Sequence, residues 1–351
     1  MNKGFVFFYL IFIFSCNTIQ KKNKVTGIVI ALKYCKNLLI SQNDSNYFLY
    51  SIENNDTQFL FDINKNRSMD KIIVLSSVFY GGLKLLNEEK RIIGVDNFNY
   101  YYDSTFIENS KKNNISSVGE EGQLNLEKII ELNPEMIICN SSKSIQNYSR
   151  LKGVKIIPCI SYKENHPLAR AEWIKFFGII CGQFDQSVDF FNQVEKQYNQ
   201  LKDSSSNIKN TFFCELLYGN TWNIPGGNSY MANLIQDAGG TYMYSNKRDN
   251  FTFQLSFEEV YTDCRNSEIW INPGLISKKS ELIALDNRFK HFKAFKKGNL
   301  FNNNKKTRSN GANDYWETGP YRPDVMLKDL MIINELNEEN FSLLQYFKKV
   351  D

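Results

Sequence analysis

Apolar residues change their spacing several times along the chain, and each change marks a different kind of element. After Lys3 an unbroken apolar run extends from Gly4 to Phe14 and stops at Ser15, Cys16 and Asn17. A bilayer-spanning helix takes about 20 residues, so this run is too short to cross a membrane. A polar stretch follows. From Val25 to Phe61 short runs such as "KNLLIS" and "NYFLYSI", separated by Asn, Asp and Ser, predict an antiparallel region. From Lys71 the pattern alternates. "KIIVLSS", "RIIGVDN", "EMIICNS" and "VKIIPCI" predict strands, with helices over "VFYGGLKLLNE" and "NLEKIIELN". Pro134 forces the end of the second helix.

Two helical stretches come next, divided by Gly182. The first covers Leu168 to Cys181. In the second, Phe184, Val188, Phe191, Val194, Tyr198 and Leu201 recur at three- and four-residue steps and form one apolar stripe. The alternation then returns. "TFFCELLY" predicts a strand, "SYMANLIQDAGG" and "SFEEVYTD" helices, "SEIWINP" and "LFNNNKK" strands, and "RPDVMLKDLMIINEL" a final helix with Pro323 in its first turn. Alternating strands and helices build mostly parallel sheets. The fold class is therefore α/β, with two Rossmann-like lobes joined by one long helix.

Composition narrows the chemistry. At 351 residues the chain can form two cores. Its 42 basic and 38 acidic residues leave a formal charge of +4 with no long block of either sign, which argues against a nucleic-acid partner. Aromatic residues make up 14%, enough to leave some rings for ligand contact. Beyond Cys16, Cys35, Cys139, Cys159, Cys181, Cys214 and Cys264 show no CxxC pair. Buried free thiols are the preferred reading, with disulfides the alternative. The two histidines, His166 and His291, form no metal-ligand cluster, so neither a bare metal ion nor a protein-held cofactor is expected. GxSxG, Walker, GxGxxG and HExxH motifs are absent, and His166 before a proline reads as a turn residue.

The order of elements resembles the periplasmic solute-binding proteins of ABC importers for iron-siderophores, haem and cobalamin. The resemblance is carried by "GEEGQLNLEKIIELNPEMIIC", "HPLARAEWIKFFGIICG", "GNTWNIPGGNSYMANLIQDAGGTY" and "NDYWETGPYRPDVMLKDL". The amino terminus resembles a bacterial lipoprotein signal, in which Cys16 would carry the lipid. It departs from the strict pattern at Ile13 and Phe14, and an ordinary signal peptide or an uncleaved anchor is the alternative. These resemblances imply a signal over 1–16, a tether over 17–24, a first lobe over 25–182, a linking helix over 183–203 and a second lobe over 204–351. They further imply a monomer held in the periplasm by a lipid anchor, with a small metal chelate, a permease and its ATPase as partners, and no enzymatic activity. The competing reading is an exported α/β enzyme or surface protein on the same lobes.

Family members carry a glutamate on each lobe that docks on permease arginines. The matching positions are Glu127 in "NLEKI" and Glu258 in "SFEEV", with Glu259 an alternative to the latter. Ligands of open α/β sheets lie beyond the carboxyl ends of the strands. That rule nominates Ser76, Ser77 and Tyr80, then Tyr100 to Tyr102, then Asn140 to Ser142 in the first lobe. In the second lobe it nominates Tyr218, Trp222, Ser229, Tyr230 and Trp316. Arg170 and Arg322, and less strongly Arg308, are candidates to pair with an anionic chelate.

Overall fold

The computed structural model describes residues 25–141, 143, 150–205 and 210–351. The apolar run, Cys16, the tether and Ser142 lie outside the described residues.

The described chain opens with a four-stranded antiparallel meander, β1 (Ile28–Ile30), β2 (Leu38–Gln42), β3 (Asn46–Glu53) and β4 (Asp56–Asn64). Strand alternation puts Ile40, Leu49 and Phe61 side by side on one face, and all three are buried.

A five-stranded parallel sheet follows, ordered β7-β6-β5-β8-β9. It comprises β5 (Ile72–Val74), β6 (Ile92–Val95), β7 (Ser116–Ser117), β8 (Met136–Cys139) and β9 (Lys155–Pro158), with α1 (Ser77–Leu85), α2 (Ser104–Ser110) and α3 (Leu126–Leu132) in the crossovers. β5 and β8 are apolar throughout and buried on both faces, as central parallel strands must be.

The expected helix from Leu168 to Cys181 is two helices, α4 (Pro167–Glu172) and α5 (Ile174–Ile180). The break falls at Trp173, whose buried indole Nε1 donates to Glu164 Oε1 at 3.3 Å. His166 caps α4, its Nδ1 accepting the Leu168 amide at 3.1 Å. Two buried acids tie the meander to this region. Glu172 accepts the amides of Lys33, Tyr34 and Cys35 at 2.8–3.0 Å together with Lys175 Nζ at 2.7 Å, and Glu164 accepts those of Lys36 and Asn37. α6 (Phe184–Asp203) is 20 residues long, about 30 Å at ~1.5 Å per residue. It stands in the chain between the two large sheets and packs on α5 and on α12 (Pro323–Glu335).

The second large sheet is ordered β13-β10-β15-β16-β17. Its parallel strands β10 (Thr211–Cys214), β13 (Thr241–Tyr242), β15 (Ile269–Ile271) and β16 (Leu300–Asn302) are closed at one edge by antiparallel β17 (Lys348–Lys349). The expected strand over "TFFCELLY" breaks at Glu215, which turns the chain with a left-handed backbone (φ 68°). Leu217–Tyr218, as β11, instead pairs with β12 (Thr221–Pro225), which pairs with β14 (Thr252–Leu255) in a small antiparallel sheet. α7 (Tyr230–Asp237), α8 (Phe257–Cys264), α9 (Lys279–Leu285), α10 (Lys293–Lys297) and α11 (Asp314–Glu317) complete this half. Cys139, Cys159, Cys181, Cys214 and Cys264 are buried thiols, and Cys35 Sγ donates to Glu164 at 3.0 Å.

Candidate functional site

The segment that follows β16 meets the loop that follows β6, so segments beyond the carboxyl ends of the two parallel sheets touch. The Tyr102 amide, after β6, donates to Glu317 Oε2 at 2.7 Å. Arg308 Nη1 donates to the Tyr101 carbonyl at 3.2 Å, and Asn310 Nδ2 to the Asn99 carbonyl at 3.1 Å. Closeness is tightest at Gly81 in α1, where a Cβ would stand 1.9 Å from the Glu317 carbonyl oxygen. Burial pushes the Glu317 carboxyl up to about 7, and its Oε1 has no hydrogen-bond partner among the described residues.

On the first lobe the strand ends carry Ser76 and Ser77, the latter partly exposed at the start of α1, and Asp96 after β6. Asp96 accepts Tyr101 Oη at 2.8 Å, and burial pushes its carboxyl up to about 6. Glu120 accepts Tyr100 Oη at 2.5 Å, and Glu121 accepts both the backbone and side-chain amides of Asn140 at 2.5 and 3.1 Å. On the second lobe the ends carry Glu215 after β10 and Asn272 after β15. Around them Tyr218 is 83% exposed, Leu275 90% and Trp316 54%. Exposed rings and aliphatics gathered at strand ends are what a planar or macrocyclic ligand packs against.

The proposed contacts divide on this geometry. Tyr100, Tyr218 and Trp316 are exposed, and Tyr102 is half-buried. Tyr80 is core instead: its ring packs on Phe106 (4.3 Å between centroids) and its Oη donates to Asp103 at 2.7 Å. Trp222 is core as well, fully buried with Nε1 donating to the Cys214 carbonyl at 3.1 Å. Both sit on inward-facing positions, which residue type could not reveal. Tyr230 joins the lobes, its ring 4.2 Å under the Arg170 guanidinium and its Oη 3.2 Å from Met326 Sδ. Arg170 donates to the carbonyls of Tyr162 and Glu164, and Arg322 grips Asp324 through two bonds. Neither is a free anion receptor. Glu215, Asn272 and Leu275 were missed. Asn272 heads an Asn-Pro-Gly run that signals its left-handed turn, whereas the same turn at Glu215 has no residue-type signal.

The two glutamates proposed to dock lie at equivalent places. Glu127 is the second residue of α3, behind the Asn125 cap, and Glu258 the second of α8, behind the Ser256 cap. Both are exposed. Glu259 closes a capping box, accepting the Ser256 amide and hydroxyl at 2.8 and 2.7 Å, so Glu258 is the outward acid of that pair. Arg288 holds Glu258 at 2.9 Å while lying 3.9 Å over the Phe257 ring.

A second concavity of about 800 Å³ lies between α6, α12 and the segment before α11, lined by Gln197, Leu201, Lys306, Arg322, Lys328 and Tyr346 rather than by strand ends. Among the described residues no three His, Cys, Asp or Glu side chains converge to hold a metal ion.

The periplasmic binding protein family model matches residues 72–307, from β5 to the bridging segment. The chain belongs to the periplasmic binding protein family. An uncharacterized lipoprotein of Methanocaldococcus jannaschii is 23% identical over 282 residues, 76% of this chain and 66% of that one, so the match spans just under two thirds of the relative. A solved Staphylococcus epidermidis structure, described as a possible iron-binding periplasmic solute-binding protein, shares the fold with a TM-score of 0.59. It is 18% identical over 76% of this chain and 99% of its own. The periplasmic haem-binding protein of Vibrio cholerae does so at 0.57 and 16%, over 73% and 98%. Family and neighbours are substrate-binding proteins. The meander β1–β4 precedes the matched residues.

Proposed function

We propose that this chain is the extracytoplasmic binding component of an ABC importer, not an enzyme, and that it captures a metal chelate between its lobes, a ferric siderophore in preference to haem or cobalamin. The observation that carries this reading is the contact between segments beyond the carboxyl ends of the two sheets, Tyr102 to Glu317 and Arg308 to Tyr101, with Tyr100, Tyr218, Leu275 and Trp316 exposed on segments that follow parallel strands. A wrapped metal needs no protein ligands, which agrees with a cleft of rings, hydroxyls and carboxylates. The M. jannaschii lipoprotein supports an extracytoplasmic place, and Cys16 is the residue we assign to lipid attachment. The tether over 17–24 would leave the lobes, 25–182 and 204–351, as a monomer beside the membrane.

Glu127 and Glu258 would dock on permease arginines, one per lobe. Exposed ion pairs contribute only ~0.2–1 kcal/mol each, so they set register more than affinity. The α6 helix would keep the lobes from swinging wide, making closure around the ligand small. Titrating the purified chain with ferric siderophores, haem and cobalamin while following tryptophan fluorescence tests the reading. Saturable binding of a ferric siderophore is expected, and failure of all three classes to bind would overturn it.

A further inference from the structure

The concavity between α6 and α12 is walled by two helix faces that the sequence sets up locally. Gln197, Gln200, Leu201 and Ser204 fall at three- and four-residue steps at the end of α6, and Arg322, Val325 and Lys328 at three-residue steps from the cap of α12. Leu85, the last residue of α1, closes one side. α1 starts shortly after β5, so its far end lies ~12 Å along the helix from the carboxyl end of that strand, at 1.5 Å per residue. The concavity is therefore separate from the strand-end site.

Three cations and two carboxylates line it. Lys306 lies 3.3 Å from Asp314, and Arg322 donates from Nε and Nη2 to Asp324 at 3.0 and 2.8 Å, both acids being buried. These pairs balance in charge. Lys328 Nζ has no ion pair or hydrogen bond among the described residues, and Arg322 keeps Nη1 for a further acceptor. One uncompensated positive charge beside a spare guanidinium N–H is an arrangement that receives a carboxylate. The α6 wall adds the amides of Gln197 and Gln200, which carry no charge and both donate and accept hydrogen bonds. Leu85, Leu201 and Val325 add apolar surface. A volume of about 800 Å³ is larger than an inorganic anion fills and suits an organic molecule.

We propose that this concavity binds a small amphipathic carboxylate carrying an amide, in the manner of an N-acylated amino acid. Lys328 and Nη1 of Arg322 take its carboxylate, Gln197 and Gln200 its amide, and Leu201 with Val325 its apolar side chain. The site stands on its own residues and does not rest on chelate binding.

Isothermal titration of the full chain with N-acetyl-leucine and with its uncharged counterpart, N-acetyl-leucinamide, tests the proposal. The acid is expected to bind about tenfold more tightly than the amide. Lys328→Gln, at an exposed residue with no partner to lose, should weaken the acid about threefold while leaving the amide's affinity and the melting temperature unchanged. Gln200→Trp, at an exposed helix position, fills the concavity and should abolish binding of the acid. Equal affinity of acid and amide, or no binding of the acid, overturns the proposal. Binding of the acid that survives Gln200→Trp in a folded chain overturns it as well, because the ligand then lies elsewhere. An unchanged affinity for the acid in folded Lys328→Gln overturns the assignment of that charge. Chelate titrations of the same protein read the strand-end site separately, and neither result decides the other.

Discussion

Glu317 makes the lobe junction sensitive to pH in a direction that can be worked out beforehand. It is fully buried, accepts the Tyr102 amide across the junction, and has its carboxyl raised from 4.5 to about 7 by burial. A carboxyl raised in the fold binds its proton more tightly there than in the unfolded chain. Its contribution is therefore fully present below about 4.5 and is lost as pH rises through about 7. Each pH unit in that window corresponds to ~1.4 kcal/mol, so the loss attributable to this one group is about 3 kcal/mol. Glu317→Gln removes the titrating proton but keeps a carbonyl oxygen for the Tyr102 amide. Urea unfolding followed by tryptophan fluorescence at pH 5, 6, 7 and 8 should show the native chain losing stability relative to the variant, by about 3 kcal/mol across the series. Asp96 and Glu215, both raised by burial, leave a residual slope of the same sign in both proteins. Parallel stability curves for the native chain and Glu317→Gln would refute the reasoning.

Glu127→Arg combined with Glu258→Arg should abolish chelate uptake by cells while leaving affinity in solution unchanged; loss of binding in the double variant would contradict the docking assignment. Tyr218→Ala and Trp316→Ala are each expected to weaken chelate binding about tenfold, ~1.4 kcal/mol, without lowering the melting temperature. Trp222→Ala should do the opposite, destabilising the fold by ~3–5 kcal/mol in urea titrations because a buried indole is lost. Glu172→Ala leaves three backbone amides and the nearly buried Lys175 ammonium without their acceptor, and a loss of ~3–5 kcal/mol is expected by the same measurement.

The parts of this protein that its sequence determined alone are those with a local cause. Alternating apolar runs and helical stripes sufficed for the two α/β halves, and the Phe184–Asp203 helix extends only two residues beyond the last position of its stripe. Glu127 and Glu258 were nominated by the resemblance of "NLEKI" and "SFEEV" to family segments, and each is an exposed acid behind a side-chain cap, a local arrangement set by a few consecutive residues. What only the tertiary structure decided are matters of facing. Tyr80 and Tyr100 are both tyrosines after a strand, yet one is sealed against Phe106 and Asp103 while the other is exposed. The break at Trp173 and the turn at Glu215 arise where distant partners, Glu164 in one case and the Ile271 carbonyl in the other, fix the backbone more firmly than local propensity does. The site depends on this throughout, since Glu317 owes its raised carboxyl to burial against Tyr102 and Gly81, and Glu215 and Asn272 owe their raised or unpaired groups to burial within the second half. Burial is a sum over contacts far apart in the chain, and periodicity along one strand or helix does not report it.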